Sequence, residues 1–158
     1  MLQHNVYQST NIKHVAAQAW RRTTKLEEVT SVKEGVVSLP TAADANALFA
    51  KFSQQWQKCD GTTLPLPDSM FKLNERITNV EVATSVVAGT VSVGWAPSRP
   101  DSTSIPEGRA IGVRGNCLVE VEVDFFNAPD SSHRQSGTFN TGAVGIAQAM
   151  LDNIGALI

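Results

Sequence analysis

Hydrophobic residues change their spacing several times along this chain, and each change marks an element. After a polar, irregular opening over residues 1–13, Val15, Ala17 and Ala19 alternate with Gln18 and Trp20, which predicts a short strand. Val32 to Leu39 is β-rich and stops at Pro40, which has no N–H for a ladder, so a second strand is expected there. The period then lengthens. Ala45, Leu48, Phe49, Phe52, Trp56 and Cys59 recur at helical spacing, while Lys51, Gln54, Gln55 and Lys58 fall largely off that stripe. Thr41 is placed to cap this helix, with the Asp44 carboxylate three residues on, near the positive helix end. Asp60-Gly61 ends it, and the Leu-Pro-Leu-Pro stretch around Pro65 and Pro67 reads as an extended connector.

The second half is strand-like until its end. Met70 to Leu73, Ile77 to Ala83 and Val86 to Trp95 are β-prone and suggest an antiparallel meander, followed by a Pro-rich surface loop over 96–106. In the segment from Arg109 to Val123, Val119, Val121, Val123 and Phe125 alternate with Glu120, Glu122 and Asp124, so the odd positions are expected to face the core and the acids water. Ile111 and Val113 share the odd parity. Matching the two apolar faces calls for an odd loop, Arg114-Gly115-Asn116, which sets Arg109 opposite Val121. A further loop over 127–137 precedes a terminal helix from about Asn140, striped by Val144, Ala147, Leu151, Ile154 and Ile158. Strands with an inserted early helix and a closing helix predict an α+β fold, an antiparallel β-sheet with both helices packed on it.

Composition adds bounds to that picture. The 158 residues, 42% hydrophobic and 18% charged, suit a single domain over residues 1–158. A net charge of -2, with no basic cluster larger than Arg21-Arg22, argues against a nucleic-acid partner. No apolar run approaches the ~20 residues that cross a bilayer. The opening Met-Leu-Gln-His-Asn lacks the features of a signal peptide, so the expectation is either a cytosolic protein or one whose leader is absent from this sequence.

Cys59 and Cys117 are the two cysteines, each at a position of core-facing parity, and a helix-to-sheet disulfide between them is expected. Closing that loop would stabilise the fold by about 4 kcal/mol on the chain-entropy account and would point to an oxidising compartment.

Chemistry is sparse. His4, His14 and His133 lack metal-ligand spacing, and nothing matches a phosphate loop, a dinucleotide fingerprint or a nucleophile elbow, so no metal, cofactor or catalytic residue is assigned. Ser131 and His133 could serve a hydrolase only if their loop held them rigidly, which adjacent polar loop residues seldom do. Glu120, Glu122 and Asp124 read as a solvated row. Arg109 has its base on an apolar face, where a guanidinium must find carboxylates, carbonyls or a ligand anion. Trp56 either fills the core or lines a cleft. Arg109, Arg114 and Trp56 are the candidate ligand-binding residues, the arginines favouring an anionic or carbonyl-bearing group.

Three stretches stand out together: Val36-Val-Ser-Leu-Pro-Thr-Ala-Ala-Asp-Ala45, Gln55-Trp-Gln-Lys-Cys-Asp-Gly61, and the Arg109 to Val123 hairpin, closed by the terminal helix. In this order they resemble the PknH-like extracellular sensor domain family, found on mycobacterial receptor Ser/Thr kinases and related envelope lipoproteins. The resemblance implies a non-catalytic extracytoplasmic α+β domain with a ligand cleft. The lipoprotein branch is the nearer one, because kinase-type members carry more disulfides than two cysteines can form. It implies an exported lipoprotein in the cell envelope, its lipid-anchored cysteine upstream of Met1, with a small molecule or an envelope protein as partner. A protein-interaction module of the cell envelope, working through a sheet edge or the Pro-rich loop, is the alternative.

Overall fold

The computed structural model describes residues 11–21, 29–66, 72–95, 104–125 and 137–157. In chain order the elements are β1 (His14–Arg21), β2 (Val29–Ser38), α1 (Ala42–Cys59), β3 (Thr63–Pro65), β4 (Leu73–Val82), β5 (Val86–Trp95), β6 (Ile105–Arg114), β7 (Cys117–Phe125) and α2 (Gly137–Leu157). The strands form one antiparallel seven-stranded sheet in the order β1-β2-β7-β6-β5-β4-β3. Among the described residues no helix is long and apolar enough to cross a membrane.

Thr41 caps α1 as its sequence predicts, its hydroxyl oxygen accepting from the Asp44 N–H at 3.1 Å. The helix lays Ala45, Leu48, Phe49 and Phe52 on Val37, Leu39, Val87, Ile111, Val113 and Leu118 of the sheet. The other face carries a second core, in which Ala143, Ala147 and Leu151 of α2 meet Val86, Ala88, Ala110, Val119, Val121 and Val123. The central strands are therefore buried on both sides.

That double burial explains the main correction to the sequence reading. The β6–β7 hairpin turns through two residues, Gly115-Asn116, with Gly115 at a φ of 55° in the left-handed region, so Arg109 stands opposite Glu122 and Ile111 opposite Glu120. The expected three-residue loop assumed that β7 has one wet face. Instead Glu120 and Glu122 are buried, 8% and 4% exposed, on the α1 side. Two smaller differences follow from packing. Thr63–Pro65, read as a connector, pairs with β4 as an edge strand, and α2 begins at Gly137, ahead of Asn140.

The expected Cys59–Cys117 disulfide is not formed: both cysteines are free thiols. Sheet parity gives the reason. Cys117 alternates with Val119 and Val121 toward the α2 side, whereas Cys59 ends the helix that covers the opposite side. The Cys117 Sγ instead lies 3.7 Å from Asn116 Oδ1, and burial raises its pKa. Thiol titration of the unfolded, unreduced protein is thus expected to count two free thiols, and added reductant should leave the melting temperature unchanged. A thiol count of zero would refute this arrangement.

Candidate functional site

β7 places Glu120, Glu122 and Asp124 on the α1 face by simple alternation, and the register across the sheet builds rows upon them. One row runs Lys33, Glu122, Arg109, Gly89 across β2, β7, β6 and β5. The next runs Ser31, Asp124, Glu107, Val91, Ile77. Cations and carboxylates thus stand beside one another as cross-strand neighbours, the arrangement that lets charge be buried.

The ion pairs are close. The Arg109 guanidinium donates to Glu107 Oε2 from Nε at 3.2 Å and Nη2 at 2.8 Å, and Nη2 lies 3.6 Å from Glu122 Oε2. Lys33 Nζ donates to Glu122 and lies 3.3 Å from Asp124 Oδ2, which also accepts from the Ser31 hydroxyl. Burial alone would raise the Glu122 pKa, but the Lys33 hydrogen bond and Arg109 charge outweigh it and hold the carboxyl below its ordinary value. At Glu107 burial wins and its pKa is raised despite Arg109. For Arg109 and Lys33 burial works downward, yet their acidic neighbours leave both pKa values raised.

Above this charged floor the second half of α1 overhangs the sheet and leaves a cleft of about 270 Å³. Phe52, Gln55, Trp56 and Cys59 line it from the helix, Leu64, Glu75 and Ile77 from β3 and β4, and Gly89, Val91, Arg109, Ile111, Glu120 and Glu122 from the central strands. The indole packs over Gly89 of β5, where an added Cβ would meet Trp56 Cε3 at 3.6 Å, an ordinary van der Waals contact.

Of the residues singled out from sequence, Arg109 and Trp56 meet in this cleft. Arg114 does not: it reaches Asp152 of α2, Nη1 to Oδ1 at 3.4 Å, and packs over Gly155. Ser131 and His133 lie outside the described residues. The sequence reading missed Lys33, Glu75 and Glu107, and treated Glu120 and Glu122 as solvated. The two-residue Gly-Asn turn was the available signal, because it alone pairs Arg109 with an acid.

The profile of the PknH-like extracellular domain matches residues 1–153. The chain belongs to that family. This PknH-like domain is accordingly an extracytoplasmic, sensor-type module. Its fold is similar to the crystal structure of the extracellular domain of PknH from Mycobacterium tuberculosis, with a TM-score of 0.67 and 19% identity over 93% of this chain and 70% of that one. No curated protein matches the sequence.

Proposed function

We propose that this PknH-like domain is a non-catalytic receptor for a small molecule, which it holds in the cleft between α1 and the sheet. The observation that carries the reading is the cleft itself, an apolar hollow over central strands with a few convergent polar groups, the usual make-up of a ligand site. Binding is favoured over chemistry by the state of its charges: Arg109 is engaged by Glu107 and Glu122, and Lys33 by Glu122 and Asp124. The resemblance to envelope lipoproteins supports display of the domain on a lipid-anchored exported protein.

A ligand-observed NMR fragment screen is expected to return compounds that compete for one site and bind about tenfold or more weakly to Trp56→Ala. Equal binding to wild type and a folded Trp56→Ala would sink the reading. An envelope protein docking on the sheet edge is the second reading, favoured by β1, where Val15 and Trp20 are 53% and 60% exposed.

A further inference from the structure

The two edges of the sheet are finished differently. β3 closes one of them with three residues ending in Pro65, which has no N–H to offer an incoming strand. β1 closes the other with eight residues, all exposed, and among the described residues its outer side pairs with no strand. Its register to β2 is regular throughout, and Val15 to Trp20 carry neither charge nor proline. Long edges without such features are open to pairing with another chain.

The strand also complements itself. A two-fold axis perpendicular to the sheet returns each face to its own side, so residues brought opposite one another must share parity. Centred on Gln18, such a pairing sets Gln18 against Gln18, Ala17 against Ala19, and Ala16 against Trp20 of the second copy. Centred on Ala17 it would set Lys13 against Arg21, like charges face to face. Ala16 and Trp20 both face the α2 side, since their β2 partners Val36 and Val32 pack against that core. Trp20 is 60% exposed, with its Nε1 donating to Glu34 Oε1 at 3.2 Å. Ala16 opens onto a hollow of about 390 Å³ between β1 and α2, lined also by Glu34, Val36 and Met150. Each indole therefore meets a small residue and an open hollow on the other copy.

We infer that β1 is the interface of a two-fold homodimer, in which two sheets join antiparallel at Gln18 and each Trp20 covers Ala16 of the other copy. This goes beyond the cleft and does not depend on what it holds. The Pro65 edge makes the assembly close at two, because no open edge is left for a third copy. Two indoles at about 150–250 Å² each, with the paired edges, fall short of the roughly 1,600 Å² of a standard interface. A dissociation constant of about 10–100 μM is therefore expected.

Sedimentation velocity from about 5 μM to about 500 μM should show monomer giving way to dimer, with Trp20→Ala weakening association about tenfold or more. Ala17→Lys, which brings charge to the centre of the edge, should leave a monomer. Mild oxidation tests the register, with wild type as the control for Cys59 and Cys117. Gln18→Cys should cross-link to its own copy, whereas the two positions of Val15→Cys stand about 20 Å apart along the strands and should not. A wild type that stays monomeric at every concentration overturns the proposal and leaves β1 to a different envelope protein. A dimer indifferent to Trp20→Ala and Ala17→Lys, or cross-linked equally at position 15, overturns it as well. If either variant does not fold, the cross-linking pair decides.

Discussion

Leu151→Ala is expected to destabilise the fold by about 3 kcal/mol in urea denaturation, with its effect strongly dependent on the residue at 112. Leu151 is 1% exposed and packs in the core between α2 and the sheet. Beneath it lies Gly112 of β6, paired with Val86 on one side and Val119 on the other. A Cβ added at Gly112 would stand 2.8 Å from Leu151 Cδ1 and 2.9 Å from Val119 Cγ2, closer than side chains tolerate. Glycine is therefore what lets the leucine seat against the strand, and Gly112→Ala alone should cost about 1–3 kcal/mol through overpacking. In the Leu151→Ala background the added methyl enters space the leucine has left, so Gly112→Ala should cost clearly less there. Additive single effects would mean that the two positions do not share this contact.

The ease with which the fold was read, and the difficulty of reading the site, have a common physical origin. The α1 stripe, the Thr41 cap and the alternation of β7 are local signals, and each predicts its element from a handful of neighbouring residues. Alternation also separates the two faces of β7 without revealing that both are covered. Val119 and Val121 announce their burial; Glu120 and Glu122 announce the opposite, and are buried because Lys33 and Arg109 arrive from other strands. Lys33 lies 89 positions from Glu122 in sequence, so no local pattern joins them. The hairpin register was nearer to hand. A Gly-Asn pair favours a two-residue turn, and the resulting Arg109–Glu122 neighbourship satisfies a guanidinium that the longer loop sets against Val121. The disulfide expectation failed for the same reason of faces: parity read from each element alone places two side chains toward a core, without saying toward which one.

Glu122→Gln is expected to lower stability by about 2–4 kcal/mol near neutral pH, because it removes the shared counter-charge of two cations and leaves Lys33 to Asp124 and Arg109 to Glu107. The pH dependence gives the sharper test. The folded Glu122 pKa is lowered, with burial opposing and Lys33 and Arg109 prevailing, so the carboxylate contributes stability above its unfolded value that is lost as pH falls through the folded one. Glu107 has the opposite sign: burial raises its folded pKa, so its contribution is present below the unfolded value and is lost as pH rises through the folded one. Wild-type stability alone mixes the two. The difference between wild type and Glu122→Gln isolates the first, and it should be large at about pH 7 and shrink as pH falls below the ordinary glutamate value of 4.5. Denaturation series at several pH values would read this directly. A difference that stays constant into acid would show that Lys33 and Arg109 do not hold this carboxylate ionised, and the charged floor of the cleft would then need a different account.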